Sequence, residues 1–290
     1  MEILKSIAKR TAAYFGYDIV SKSQNYTFVN IGDYSGKVGA IRYMTNLENI
    51  FSDFRLTDGR AGIFPIHDHY FTQAVNQIGK FDNFTLRYKK IENRLTEYAN
   101  TISIKSAAER IGLEEGKVPA LDSEPDWLYY FPWYSQSIED HKEKLNRSIY
   151  LENLNYQFQK DAKSGGYMEG EFYQRKIQVE KRRLFDLHNS LSTNGYDFSH
   201  PAHTPVTVNV LVNSDGGQRW IIQGGFHRCC ISAALGFEFI PARILNILFR
   251  DESSLWPGVV NKIFPESAAL EVFDSVFDGR GPEIFGMQRS

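Results

Sequence analysis

Residues 220–235 read WIIQGGFHRCCISAAL, and no other stretch constrains the fold as strongly. A short apolar run, Trp220-Ile221-Ile222, stops at Gly224-Gly225, and a helix-like stretch then opens on His227-Arg228 and runs to Gly236. The order is strand, tight glycine turn, helix N-terminus. At such a junction the first backbone N–H groups of the helix lack intrahelical partners, and the positive end of the helix dipole adds to them. His227 and Arg228 bring side-chain donors to the same place, and a guanidinium grips two oxygens at once. The pattern points to an anion site, with phosphate as the first candidate. A glycine pair also serves many strand-to-helix junctions simply as a tight turn.

The flanks extend the pattern in both directions. Residues 205–212, PVTVNVLV, alternate as a strand does, and the turn-rich 213–217 leads into the strand at 219–223, so the two are expected to pair as a hairpin. Before them, residues 138–194 read as helical with a break at KSGGYMEG, 163–170, and Gly195 as the stop. In the second of these helices Val179, Leu184, Leu187 and Leu191 form an inward stripe, while Glu180 and the basic triplet Lys181-Arg182-Arg183 are expected on the polar face. That triplet is either a solvated face or a collector of phosphate. After Gly236, residues 240–244 read as a further strand, and 266–277 as an amphipathic helix in which Ala269, Leu270, Val272, Phe273, Val276 and Phe277 face a core.

Residues 2–15 space Ile3, Leu4, Ile7, Ala8, Tyr14 and Phe15 as one helical face with Lys5, Lys9 and Arg10 between them. The helix either packs on its own domain or makes peripheral membrane contact. Residues 26–31 and 38–43 read as short strands, and Phe84, Leu86 and Tyr88 alternate as a strand that passes into a helix. Residues 106–113 read as a helix and 114–125 as a loop. The aromatic run Trp127, Tyr129, Tyr130, Phe131, Trp133, Tyr134 suits a base or sugar platform, or a wedge inside the fold. His67 and His69 flank Asp68 at a spacing that puts alternate residues on one face of a strand, but no third ligand lies nearby, and no metal set is nominated.

Composition bounds the partners. The 290 residues carry a formal charge of −2 and 42% hydrophobic residues, ordinary for a globular chain. With no basic excess and no clear helix-turn-helix pair, nucleic acid is the least favoured partner. No apolar run reaches the length of a membrane span and no signal-peptide core is present, so a cytoplasmic location is expected. The only cysteines, Cys229 and Cys230, are adjacent, which rules out an unstrained disulfide between them. Cys229 in a first helical turn has either a lowered pKa and reactivity or a simple buried place.

The GGFHR turn at 224–228, the Ala/Leu helix after it, Gly236 and the strand Ile240-Pro241-Ala242-Arg243-Ile244 resemble the signature of the ParB/sulfiredoxin superfamily. The order of elements over 176–247 resembles it too. The resemblance covers about a quarter of the chain and implies a nucleotide-phosphate-binding domain at 138–250; with the patterns above, the whole reads as an α+β fold with a basic helix at 1–16, a mixed α/β region at 17–137, that domain, and a helix with a loose tail at 251–290. Trp256, Pro257 and the helix at 266–277 resemble the tail of uncharacterised ParB-like proteins associated with bacterial surface-polysaccharide genes, and the helix at 2–15 resembles the leading helix of many enzymes encoded with such pathways.

By that resemblance Gly224, Gly225, His227 and Arg228 hold nucleotide phosphates. Ser190, paired with Leu191, faces the nucleotide, and Asn194 stands where the superfamily has threonine. Phe226 replaces the sulfiredoxin cysteine, Leu187 a lysine, and Gly224 the aspartate of the free serine kinases. In that kinase branch a glutamate at the start of the helix before the hairpin is the base, and Glu180 occupies a similar place. The implied cofactor is ATP or another nucleoside triphosphate with Mg²⁺, and the implied activity is phosphotransfer to a small or glycan-related acceptor. The alternatives are a nucleotide-responsive regulatory or scaffold module without catalysis, and a DNA-binding ParB-like protein.

Overall fold

The computed structural model describes residues 27–28, 50–76, 78, 83–101, 104–155, 170–196 and 205–280. The expected basic helix at 1–16, the strand at 38–43, most of the break at 163–170 and the last ten residues lie outside them. The fold is mixed α/β. Among the described residues seven strands form one sheet: β1 (Thr27–Phe28), β2 (Ile50–Arg55), β3 (Gly59–Ala61), β4 (Phe64–Pro65), β5 (Val206–Val212), β6 (Gln218–Gly224) and β7 (Phe239–Phe249), in the order β1-β2-β7-β5-β6-β3-β4.

The expected hairpin is present: β5 and β6 run antiparallel, with Val210 opposite Trp220. The central strand β5 also pairs parallel with β7, and β7 pairs antiparallel with β2. On the other side β3 pairs parallel with β6. Strands from both sides of position 137 thus share one sheet, so residues 17–137 and 138–250 are joined through its hydrogen bonds rather than standing apart.

The side-chain period of two along a strand assigns the faces. Val206, Val208, Val210 and Val212 of β5 join Ile240, Ala242 and Ile244 of β7 in one apolar cluster, which Cys229 and Ala233 enter from above. Leu211 and Ile221 point the opposite way, into a second cluster. That cluster holds the aromatic run, with Trp133 edge-on to Trp256 and Phe273, so the run acts as the wedge rather than as an open platform. Asn209, buried at the centre of β5, accepts a hydrogen bond from Asn246 of β7 at 3.1 Å.

The helices are α1 (Tyr70–Asn76), α2 (Phe84–Thr101), α3 (Ala107–Arg110), α4 (Pro119–Asp122), α5 (Ile138–Asn155), α6 (Gly170–Asn194), α7 (Phe226–Ala234), α8 (Pro257–Val260) and α9 (Glu266–Asp278). A third cluster lies among α1, α2, α6 and α7. Here the strand expected at 84–88 is corrected. Those residues begin α2, because Ile91, Leu95 and Tyr98 supply a buried helical stripe and the Asn83 side chain accepts the Leu86 N–H at 3.2 Å as a cap. The alternation of Phe84, Leu86 and Tyr88 was coincidental, and Leu86 is 40% exposed.

The helix expected at 106–113 is shorter, 107–110, and the loop at 114–125 contains α4. His67 lies in a 3-10 turn, Ile66–Asp68, rather than a strand. That turn separates the two histidines: His67 is exposed and His69 buried. Helix α9 forms as expected, although Leu270 is only half-buried. No helix among the described residues is long and apolar enough to cross a membrane.

Candidate functional site

Gly225 ends the sheet and starts α7 with φ 82°, ψ 23°, a left-handed conformation that a side chain disfavours. A Cβ there would lie 2.7 Å from Val206 Cγ2 and 2.9 Å from Arg228 Nη2, so the Arg228 guanidinium folds back over the glycine. One on Gly224 would lie 2.7 Å from Thr207 Oγ1. The glycine pair thus permits two close approaches, to β5 and to Arg228.

Helix α6 runs beside this turn, and Lys176, Glu180 and Arg183, at i, i+4 and i+7, share one of its faces. Glu180 Oε2 accepts from His227 Nε2 at 2.6 Å, and Glu180 Oε1 lies 2.9 Å from Lys176 Nζ and 3.5 Å from Arg183 Nη1. The glutamate side chain is only 8% exposed. Burial alone would raise its pKa, but the charges of His227, Lys176 and Arg183 outweigh that and hold the carboxyl well below its usual range. The expectation that Glu180 sits on a polar face is therefore corrected: an apolar stripe does not exclude a buried carboxylate when cations converge on it.

When the His227 ring is neutral, an Nε2–H that donates to Glu180 leaves the lone pair on Nδ1, and Nδ1 has no partner among the described residues. The ring is stacked on Phe71 at 4.9 Å and 26°. The result is a carboxylate–imidazole pair, oriented by an aromatic face, at the first turn of a helix. No known protein family, curated protein or solved structure matches the chain. The chemistry has to be argued from this geometry.

The basic triplet divides. Arg183 joins the site, Arg182 is exposed beside Asp186 at 3.7 Å, and Lys181 binds Glu92 at 2.8 Å with its ammonium 4.4 Å from the Tyr88 ring centre, tying α6 to α2. Ser190 and Asn194 are exposed on the last turns of α6, and among the described contacts neither touches the glycine turn. Sequence reasoning found the turn and Glu180 but passed over Lys176 and Phe71. The i, i+4, i+7 spacing of Lys176, Glu180 and Arg183 was a usable signal.

Both cysteines are fully buried. Burial pushes the Cys229 thiol well up and the Cys230 thiol up to about 12, so the lowered pKa considered for Cys229 does not arise. The helix dipole acts on a thiol that faces the sheet, where desolvation of the thiolate wins. Among the described residues no three His, Cys, Asp or Glu side chains gather as a metal-ligand set.

Proposed function

We propose that this is a ParB/sulfiredoxin-like, nucleotide-binding protein whose Gly224–Arg228 turn holds the phosphates of a nucleoside triphosphate, and that it transfers the terminal phosphoryl group to a hydroxyl of a small or glycan-related acceptor. The observation that carries the reading is the His227–Glu180 pair at the first turn of α7, next to the left-handed Gly225. Backbone N–H groups there suit phosphate oxygens, and Arg228 and Arg183 lie close enough to share the load. The order α6, β5, β6, α7, β7 supports the family assignment.

In this reading the base is His227 rather than Glu180. A carboxylate ion-paired with Lys176 and Arg183 and hydrogen-bonded to His227 is a weak proton acceptor, whereas the His227 imidazole, in its neutral form, is oriented by that carboxylate to take a proton on Nδ1. The acceptor hydroxyl gives its proton to Nδ1, its oxygen forms a bond to the terminal phosphorus, and the bond from that phosphorus to the bridging oxygen breaks. The nucleoside diphosphate leaves with the electron pair. Mg²⁺ bound to the phosphates would offset their charge. The location is proposed to be cytoplasmic.

A second reading, a nucleotide-responsive module without catalysis, is favoured by the same commitment of Glu180 to ion pairs. Calorimetric titration with ATP and CTP, with and without Mg²⁺, followed by phosphorus NMR of the mixture, separates the two. Binding that falls about tenfold to a hundredfold in Arg228→Ala, together with turnover of the nucleotide, is expected for the enzyme. Binding without turnover leaves the module, and no binding by the wild type removes both.

A further inference from the structure

Beyond the Glu180–His227 pair a second polar set runs into the protein. His69 meets Phe226 edge-on at 4.5 Å, and its ring lies 4.0 Å from that of Tyr70. Tyr70 stacks on Tyr98 at 3.7 Å and 16°. Arg110 comes next, its charge acting on Tyr98 and its guanidinium carbon 5.4 Å from the Tyr129 ring centre. Through Phe71, which touches both His69 and His227, these rings form an unbroken path from the head of α7 to Arg110.

The hydrogen-bonding capacity of this set is not used up. His69 Nδ1 accepts the backbone N–H of Phe71 at 3.1 Å, so the ring proton sits on Nε2. That Nε2–H and the hydroxyls of Tyr70 and Tyr129 have no hydrogen-bond partner among the described residues. His69 is buried, and Tyr70 and Tyr129 are half-buried. Buried polar atoms are normally satisfied, and a ligand can supply bonds that the protein leaves unmade.

Their charge state narrows the ligand. Burial, with the neighbouring His227 and Arg110 charges, holds His69 well below its ordinary pKa, and burial holds Tyr70 well above its own. Arg110 spends Nε and Nη2 on the Asp126 carbonyl and carboxylate, at 2.6 and 3.1 Å. An anion would meet Glu180 and Asp126, and a cation would meet Arg110. Tyrosine hydroxyls both donate and accept, as sugar hydroxyls do, and the surrounding ring edges suit C–H faces.

We propose that the His69, Tyr70, Tyr129 set binds an uncharged, hydroxyl-rich ring, a sugar or cyclitol. As the seat of the acceptor it rests on the phosphotransfer reading; as a site for such a ring it stands independently of it. The test is saturation-transfer NMR on the full-length protein without nucleotide. The probes are glucose, galactose, mannose, N-acetylglucosamine and myo-inositol, with adenosine and cytidine as sources of a ribose, and glucuronate and glucosamine as charged counterparts. At least one uncharged probe is expected to bind, and Tyr70→Phe and Tyr129→Phe each to weaken it about two- to tenfold while leaving the urea midpoint unchanged. Binding by the nucleosides alone assigns the site to ribose and keeps its chemistry. Binding by none of the uncharged probes, indifference to both substitutions, or preference for glucuronate or glucosamine overturns the proposal. A sugar that binds where ATP and CTP do not sinks the phosphotransfer reading and leaves this site standing.

Discussion

At the scale of single residues, Glu180 and Gly225 carry the strongest consequences. Replacing Glu180 by Gln leaves the 6%-exposed Lys176 beside a neutral amide, and removing one partner of a buried ion pair costs about 3–5 kcal/mol. The folded pKa of Glu180 is depressed, so its contribution is fully present above the ordinary glutamate value of 4.5 and is lost as pH falls below that value towards the folded pKa. Urea midpoints measured down a pH series should therefore show the wild type losing stability in acid faster than Glu180→Gln, with the gap closing. Parallel curves would mean that the carboxylate is not ion-paired as described. At Gly225 a methyl group meets Val206 Cα at 3.1 Å as well as its Cγ2, and the φ of 82° adds strain. Gly225→Ala is expected to cost about 1–3 kcal/mol and to push Arg228 from its place, so that thermal stability and phosphate affinity fall together.

At the scale of elements, the legible parts were those whose period had no competitor. The alternation of 206–212, the turn at 213–217 and the glycine stop at Gly236 were enough to place β5, β6 and α7. The stretch at 84–88 misled because five residues fit a strand and a helix equally well, and only the stripe continuing through Ile91, Leu95 and Tyr98 decides between them. The partners of His227 were illegible for another reason. Glu180 lies forty-seven residues before it in the chain, and nothing local says that α6 passes the head of α7. Burial of α7 against the sheet can be tested through its cysteines. Ellman's reagent should find both thiols of Cys229 and Cys230 inert in the native protein and reactive only after unfolding, and prompt labelling without denaturant would contradict the packing.

At the scale of the whole molecule, the two faces of the sheet are closed by different parts of the chain, the face at Leu211 by α9 and the aromatic run. Phe273, fully buried there against Trp256 and Phe277, should cost about 3–5 kcal/mol when replaced by Ala, read as a shift in urea midpoint. Arg60 of β3 fastens the same helix, donating to the carbonyls of Val276 and Phe277 at 2.9 and 2.7 Å. The pairing of β2 with β7, in which Phe51 faces Arg243, also governs when the protein becomes itself. A ribosome adds roughly 5–20 residues per second, so β2 emerges on the order of ten seconds before the strand that completes it. During that wait Ile50, Phe51 and Phe54 lack the strand that covers them in the finished sheet, and are exposed to the wrong neighbours.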